Sequence, residues 1–363
     1  MISLNKIPHT PPTITHINKS VSQHIGATTN IQNTFSDIMD SAIDNYLASG
    51  YKSVISKLSF RKFLNKSLAQ IMTPENFLNN GRESKVYKIS DKYVARVKRG
   101  KYENDAIHYY DLIKDSNKKF RELNIYYGEP VIKVGDVEVL KNATPRDYVT
   151  CGLLWKGAYP KPEEIVKYYQ EYIPACSSVP QEGYDEFAKC LKSLNEIQDK
   201  NHNIFRSLKR QNKIDSEYQQ NKNISYTLDT LNPNNVLIAD GSFKLVDHFA
   251  KVPFDKPNSV YTMIEPLLTR MTPDNLAEFN ADSVIPRRNI LRKILIASEK
   301  SELPFGSPLA DETIDYSLSQ LCADEKKGIK SPLGIFSVLK NMRKESVPLK
   351  ERIAFINKEL LEK

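Results

Sequence analysis

The sequence predicts an α+β fold, in which two β-hairpins are separated by a long helix. Residues 84–98 have the pattern of a β-hairpin, in which two short runs rich in β-branched residues flank a polar turn at 90–92. Residues 236–246 repeat that pattern around a second polar turn at 239–242. Between the two hairpins, residues 182–200 carry apolar side chains at helical spacing. A small sheet, a long helix and a second hairpin are therefore expected in this order.

Composition excludes several classes of protein. The chain has 363 residues, of which 40% are hydrophobic and 26% charged, so a sizeable core is expected. No uncharged apolar run approaches the roughly 18 residues of a membrane helix, and no transmembrane segment is expected. The net charge of +8 suits an anionic partner, and it equally suits a solubilising surface. The four cysteines lie far apart and suit neither a disulfide scaffold nor a zinc site: Cys151, Cys176, Cys190 and Cys322.

The N-terminal segment differs from the rest of the chain. Residues 1–34 contain no Asp or Glu, are rich in Ser, Thr and Asn, and lack a helical period, which predicts an unstructured tail. This composition resembles the N-termini of proteins exported by bacterial type III secretion. The resemblance implies export into a host cell, action in the host cytoplasm, and a secretion chaperone as a candidate partner. From Phe35 to residue 72 the apolar residues return to helical spacing, which predicts a helical extension.

The turn before the first hairpin carries the features of a phosphate-covering loop. Such a loop needs small residues, because backbone N–H groups must approach phosphate oxygens closely. Gly81 and Ser84 meet that need, and Val86 follows on the strand. On the returning strand Arg96 and Lys98 are two residues apart and therefore share a face, where one of them can grip phosphates. An ordinary hairpin with exposed basic residues would give the same pattern.

The segment around the second hairpin contains an ordered set of polar residues. Asp229 precedes Asn234 by five positions, a short hairpin follows, and Asp247 ends it. Phosphoryl transfer needs a carboxylate that orients the attacking hydroxyl, followed by oxygen ligands that hold Mg²⁺ on the phosphates. The hairpin fixes the distance between the two predicted metal ligands. This pattern predicts a phosphotransferase site.

At these positions the sequence resembles the protein-kinase-like superfamily. The run Asn-Asn-Val-Leu-Ile followed by Lys-Leu-Val-Asp resembles its catalytic loop and metal-binding strand, and residues 79–98 resemble its glycine-rich loop and the strand with the catalytic lysine. The resemblance implies a bilobal kinase-like domain over residues 73–300 and a C-terminal helical extension over 301–363. It also implies ATP and Mg²⁺ (or Mn²⁺) as cofactors, with no nucleic-acid partner.

Two registers of the catalytic loop stay open. The five-residue spacing makes Asp229 the residue that orients the hydroxyl and Asn234 a metal ligand. Alignment on Pro233 instead makes Asn235 the metal ligand and places Thr230 in the position of the base. The spacing from Asn to the second Asp favours the first register.

The same resemblance implies candidates for the phosphate-binding cation and for the carboxylate that holds it in place. Arg96 stands where the family has lysine, and Lys98 serves instead if the strand register shifts by two. Glu103, on a helix expected over about 102–115, is the candidate carboxylate that fixes this cation. The hinge between the lobes is expected at Val137–Lys141 or at Cys151–Trp155.

The implied function is that of a secreted bacterial effector that phosphorylates Ser or Thr on a host protein, using ATP and Mg²⁺. One alternative is a pseudokinase that binds a host protein and transfers nothing. Another is a small-molecule phosphotransferase, because Asn-Pro-Asn-Asn-Val-Leu-Ile also resembles aminoglycoside and choline kinases. Residues 286–363 are expected to form helices with basic clusters, either extending the C-terminal lobe or forming an accessory module.

Overall fold

The computed structural model divides the chain into two compact units, Met1–Leu68 and Ala69–Lys363. No described helix is long and apolar enough to cross a membrane. The residues that the structure describes are 25–49, 54–80, 84–98, 125–128, 130–145, 147–150, 162–210, 224–228, 235–246, 249–253, 258–268, 277–306 and 332–361.

The first unit is helical. It contains α1 (Ile25–Ala48) and most of α2 (Val54–Ile71), and the ring of Tyr46 on α1 stacks on Phe60 of α2 with 4.4 Å between centroids. The sequence predicts an unstructured tail up to residue 34, whereas α1 already begins at Ile25. Extending a formed helix by further turns costs much less than nucleating one, so polar residues with modest helix propensity can join its N-terminal end.

The second unit begins with a five-stranded antiparallel sheet. Its strand order is β1-β2-β3-β5-β4, with bounds β1 (Phe77–Asn80), β2 (Ser84–Lys88), β3 (Tyr93–Lys98), β4 (Pro130–Val134) and β5 (Val137–Lys141). A short 3₁₀ turn precedes β1. The hairpin predicted over residues 84–98 is formed by β2 and β3.

The rest of the unit is mainly helical, with short strands between the helices. The helices are α3 (Pro162–Lys167), which continues through a π-helical turn, α4 (Ile173–Ser178), α5 (Gln181–Arg210), α6 (Val260–Leu268), α7 (Ala277–Ser301), α8 (Pro332–Lys344) and α9 (Leu349–Leu360). The strands are β6 (Val149–Thr150), β7 (Ile224–Leu228), β8 (Val236–Ala239), β9 (Ser242–Leu245) and β10 (Phe249–Pro253), paired as β6-β8-β9 and β10-β7. The predicted α+β class, with a sheet followed by a helical part, is confirmed.

The long helix and the second hairpin share one core. The helix predicted over 182–200 is α5, and its residues Phe187 and Leu191 are fully buried together with Phe243 of β9. The turn of the β8–β9 hairpin consists of Asp240 (φ +51°) and Gly241 (φ +69°). Two successive residues in the left-handed region match the twist of the flanking strands, so this turn sets the hairpin register.

The C-terminal helices belong to the same core. Ile335 and Leu339 of α8 and Ile356 and Leu360 of α9 are buried in it. Residues 332–361 therefore extend the helical part of the second unit.

The basic residues expected as a C-terminal cluster are largely engaged within the helical part. Arg287 and Arg288 are buried, and the Nζ of Lys293 donates hydrogen bonds to the carbonyl oxygens of Ser177 and Val179. Burial, together with neighbouring Arg292, lowers the pKa of Lys293. Lys293 therefore binds backbone carbonyls near the end of α4, and Arg288 donates to the carbonyl oxygen of Glu359 near the end of α9.

A buried carboxylate joins the last three helices. Glu299 of α7 is fully buried, and the Nε of Arg343 on α8 donates to both of its oxygens at 3.0 Å. The Nε of Arg352 on α9 lies 2.8 Å from Oε2 of the same carboxylate. This ion-pair cluster connects α7, α8 and α9.

Candidate active-site cleft

The second unit contains a cleft of about 190 Å³ between the five-stranded sheet and the β8–β9 hairpin. One wall comes from the sheet, one from the segment after β5, and one from the hairpin. The lining residues are Leu78, Asn79, Ser84, Val86, Val94, Arg96, Tyr127, Leu140, Lys141, Asn142, Ala143, Thr144, Tyr148, Asn235, Leu237 and Val246.

Four of the sequence-predicted site residues line this cleft. Ser84 and Val86 on β2, Arg96 on β3 and Asn235 before β8 are brought together from distant parts of the chain. Lys98, two residues beyond Arg96 on β3, does not line it. The other predicted site residues lie outside the described residues, and their roles stay predictions: Gly81, Glu103, Asp229, Asn234 and Asp247.

The sheet register places residues of four strands in one row, and those on β3, β5 and β4 are charged. Arg96 pairs with Val86 on β2 and with Glu138 on β5, and Glu138 pairs in turn with Lys133 on β4. Residues directly opposite each other in an antiparallel pair project from the same face of the sheet. Arg96 and Val86 line the cleft, so this face of the sheet forms the cleft wall.

Glu138 is the carboxylate that engages the predicted phosphate-gripping cations. The Nε and Nη2 of Arg96 both lie 2.8 Å from its Oε2, and Nη2 also donates to the carbonyl oxygen of Gly128 at 3.4 Å. The Nζ atoms of Lys98 and Lys133 each lie 3.6 Å from Oε1. The Arg96 and Glu138 side chains are only 7% and 4% exposed.

Sequence reasoning did not select Glu138; its candidate for this role, Glu103, lies outside the described residues and stays a prediction. The available signal was the acid between the apolar residues Val137, Val139 and Leu140 of the strand Val137–Lys141. An unpaired charge at such a position is costly, so a lone acid in a buried strand indicates a cation on a neighbouring strand. The sequence does not reveal which strand that is, because β3 and β5 pair across a long intervening segment.

The β8–β9 hairpin presents the predicted metal-binding segment to the cleft. Val236 pairs with Leu245, and the backbone N–H of Val246 donates to the carbonyl oxygen of Asn235 at 3.0 Å. Asn235 and Leu237 are two residues apart, and both line the cleft.

The segment after β5 is fixed by the side chain of Asn142. The backbone N–H of Asn142 donates to the carbonyl oxygen of Lys92 at 2.7 Å. The side-chain Nδ2 of Asn142 donates to the carbonyl oxygen of Ser90 at 3.1 Å. Its Oδ1 accepts a hydrogen bond from the backbone N–H of Thr144 at 3.0 Å. These bonds attach the connecting segment to the β2–β3 turn.

One of the two segments expected to form the hinge is a strand of the sheet. Val137–Lys141 is β5, and the residues that directly follow it line the cleft. The other, Cys151–Trp155, lies outside the described residues.

The cleft combines apolar walls with a few polar groups. Val86, Val94 and Leu140 on the sheet side and Leu237 on the hairpin side provide aliphatic surface, which suits a flat apolar ring. Arg96 provides a charge that anions can approach, and Asn235 provides an amide oxygen of the kind that hard cations bind.

Comparisons with known proteins give only distant similarities. No protein-family model matches the chain, and no curated protein matches it. Among solved structures, the chain is similar to a choline kinase from Cryptosporidium parvum Iowa II, with 10% identity over 73% of this chain and 96% of that chain and a TM-score of 0.28. It is similar to APH(2")-IIa in a ternary complex with streptomycin and ATP (11% identity, TM-score 0.30) and to APH(2")-IIa in complex with gentamicin (12% identity, TM-score 0.30). In both APH(2")-IIa comparisons 73% of this chain and 95% of that chain are covered. Similarities of this size establish neither a family nor an activity.

Proposed function

We propose that the chain is an ATP- and Mg²⁺-dependent phosphotransferase whose active site is the cleft under the five-stranded sheet. The observation that carries this proposal is the convergence of Ser84, Val86, Arg96 and Asn235 on one cleft. These residues were selected from the sequence because phosphoryl transfer needs a close-approach loop, a phosphate-binding cation and oxygen ligands for the metal.

The groups present in the cleft fit a nucleotide. Aliphatic side chains from two walls can enclose a base, and the guanidinium of Arg96 provides a positive charge at the cleft wall for phosphate oxygens. Ser84 begins β2 and lines the cleft, which supports contacts between its backbone and phosphates in this proposal. These features support ATP as the phosphoryl donor.

The same cleft offers oxygen ligands for Mg²⁺. Asn235 contributes an amide oxygen, and the hairpin register supports Asp247 as a second ligand; in the Asp229–Asn234 register, Asn234 takes the place of Asn235. Mg²⁺ bound there would neutralise charge on the phosphates. Asp229 would orient the acceptor hydroxyl in this register.

The acceptor that we propose is a Ser or Thr hydroxyl on a host protein. The support is the composition of residues 1–34, which lack acids and resemble the N-termini of exported bacterial proteins. In this proposal the protein is secreted, assisted by a secretion chaperone, and acts in the host cytoplasm. Deletion of residues 2–24, which precede α1, should stop export and leave the melting temperature unchanged. Continued export of the deletion variant would contradict this part of the proposal.

A second candidate function is nucleotide binding without transfer. The observation that favours it is the position of Asn235, which lines the cleft and pairs through its backbone with Val246. If Asn235 is the metal ligand, Thr230 stands in the position of the base and no carboxylate orients the acceptor. The protein would then be a pseudokinase that binds a host partner.

Radiolabelled ATP tests the proposal. The purified chain is incubated with labelled ATP and Mg²⁺ or Mn²⁺, with and without eukaryotic lysate, beside an Asp247→Asn variant. Label transferred to the chain itself or to a lysate protein, and absent with the variant, is the expected result. Label on a small molecule would identify a small-molecule phosphotransferase. Nucleotide binding without any transfer would support the pseudokinase, and absence of binding would overturn both candidates.

A further inference from the structure

Glu138 is surrounded by more positive charge than it can neutralise. One of its oxygens lies 2.8 Å from two nitrogens of Arg96, and the other lies 3.6 Å from the ammonium groups of Lys98 and Lys133. The four side chains together carry a net charge of about +2, because three cations share one carboxylate. Of the three cations, only Arg96 lines the cleft.

The two carboxylate oxygens of Glu138 have different partners, and the one that binds Arg96 fixes the orientation of its guanidinium. Oε2 accepts from the Nε of Arg96, and the carbonyl oxygen of Gly128 accepts from its Nη2. Contacts on two of its nitrogens restrict the plane of a planar guanidinium and remove most of its rotamer freedom before a ligand arrives. The lysines lie on the other oxygen and leave this geometry undisturbed.

We propose that Glu138 is a positioning residue that orients Arg96 for binding the phosphates of the nucleotide; this inference rests on the proposed function. The pair is set by the register of β3 and β5, in which Arg96 and Glu138 are direct partners. The sequence led us to expect a helix carboxylate, Glu103, in this role. In this proposal Glu138 on β5 orients Arg96 on β3, so the phosphate-binding cation is positioned within the sheet and needs no movement of a helix.

Positioning and plain electrostatics predict opposite effects when Glu138 loses its charge. Glu138→Gln raises the net charge of the cluster, so an effect of charge alone would tighten the binding of a polyphosphate. If Glu138 acts by orienting Arg96, the same substitution weakens binding, because the guanidinium must then be ordered at the expense of binding free energy. The sign of the change therefore separates the two explanations.

Calorimetric titration with Mg²⁺-AMPPNP and with adenosine measures whether Glu138→Gln strengthens or weakens binding of each ligand. We expect Glu138→Gln to weaken Mg²⁺-AMPPNP binding about tenfold, which corresponds to one strong hydrogen bond or about 1.4 kcal/mol. Binding of adenosine, which lacks phosphates, should stay unchanged. A purely structural role for Glu138 would weaken both ligands alike, and that result would overturn the proposal.

Glu299→Gln is the matched control. Glu299 is also a buried carboxylate bound by two arginines, but it joins α7, α8 and α9 and does not line the cleft. The control should lower the melting temperature and leave the affinity for Mg²⁺-AMPPNP unchanged. The Glu299→Gln control therefore distinguishes the general effect of losing a buried ion pair from the specific effect of losing the Arg96–Glu138 pair.

A double-mutant cycle with Arg96→Gln keeps the test decisive if Glu138→Gln folds poorly. The double variant removes both charges and leaves no unpaired buried ion, so it should fold better than Glu138→Gln alone. If Glu138 acts through Arg96, the double variant binds Mg²⁺-AMPPNP as weakly as Arg96→Gln does. Additional weakening in the double variant would overturn the proposal.

The wild-type titration separates the two levels of the argument. If the wild type binds Mg²⁺-AMPPNP while Glu138→Gln binds it equally well or more tightly, the positioning role is wrong and the proposed function survives. If the wild type binds no nucleotide, the proposed function is wrong and the inference about Glu138 falls with it.

Discussion

The backbone N–H of Val246 donates to the carbonyl oxygen of Asn235 at 3.0 Å, and this bond extends the β8–β9 ladder by one step beyond the pairing of Val236 with Leu245. Both residues line the cleft. The hairpin therefore holds the segment before β8 and the segment after β9 side by side. Asn235 is one of the metal-ligand candidates that the sequence selects; the other two, Asn234 and Asp247, lie outside the described residues and stay predictions.

Asp247→Asn should abolish the stabilisation of the protein by Mg²⁺-ATP and leave the fold intact. A carboxylate is a stronger Mg²⁺ ligand than an amide, because it carries the charge that the cation needs. Thermal unfolding with and without Mg²⁺-ATP measures the effect. Asp240→Asn in the turn of the same hairpin is the control: Asp240 is exposed at φ +51°, where Asn is well tolerated. Full stabilisation of the Asp247 variant by Mg²⁺-ATP would remove Asp247 from the metal site.

Separate substitution of Arg96 and Lys98 on β3 should show which of them binds the phosphates of the nucleotide. Arg96→Met should weaken Mg²⁺-AMPPNP binding about tenfold or more, because Arg96 lines the cleft. Lys98→Met should have a smaller effect, since Lys98 lies outside the cleft lining and contacts the far oxygen of Glu138. Calorimetric titration gives both affinities under the same conditions. The reverse order of effects would identify Lys98 as the phosphate-binding residue.

The elements that the sequence predicts are those with strong local signals. The hairpins at β2–β3 and β8–β9 follow from short strand-like runs on either side of polar turns, and α5 follows from the spacing of its apolar residues. These patterns depend on neighbours in sequence, so they can be read without knowing the fold. The same motifs selected Ser84, Val86, Arg96 and Asn235, which line one cleft; their roles in binding phosphate or metal stay predictions.

Features that depend on tertiary pairing escape such analysis. The role of Glu138 depends on β3 lying beside β5, and the burial of Arg287 and Lys293 depends on how α7 packs. A basic run looks alike in sequence whether its side chains face solvent or backbone carbonyls. The start of α1 at Ile25 depends on continuation of a helix whose apolar signal begins only at Phe35.

Asn142→Ala should destabilise the second unit. The substitution removes the buried hydrogen bond from Nδ2 to the Ser90 carbonyl and the part-buried one that Oδ1 accepts from the Thr144 N–H. The expected loss in the free energy of unfolding is about 1–3 kcal/mol, measured by urea denaturation. Asn341→Ala on the exposed side of α8 is the matched control, with an expected change within about 0.5 kcal/mol. Equal effects of the two variants would mean that Asn142 does not fix the connecting segment.

The register of the catalytic loop can be settled by two alanine variants. If Asp229 orients the acceptor hydroxyl, Asp229→Ala should lower turnover by about two to four orders of magnitude and leave nucleotide affinity nearly unchanged. This asymmetry is expected because orientation of the nucleophile stabilises the transition state and contributes little to binding of ATP in the ground state. Thr230→Ala should then have only a mild effect. Labelled-ATP assays give turnover, and calorimetric titration gives affinity.

The opposite register predicts the opposite pattern. With Thr230 in the position of the base and Asn235 as the metal ligand, the wild type should be very slow or inactive, and Asp229→Ala should change little. Thr230→Asp should then raise turnover, because it supplies the missing carboxylate at the position that orients the hydroxyl. A gain of activity from this single substitution has no explanation in the first register. If both alanine variants match a wild type with measurable turnover, neither register is right, and the residue that orients the acceptor must lie outside residues 226–249.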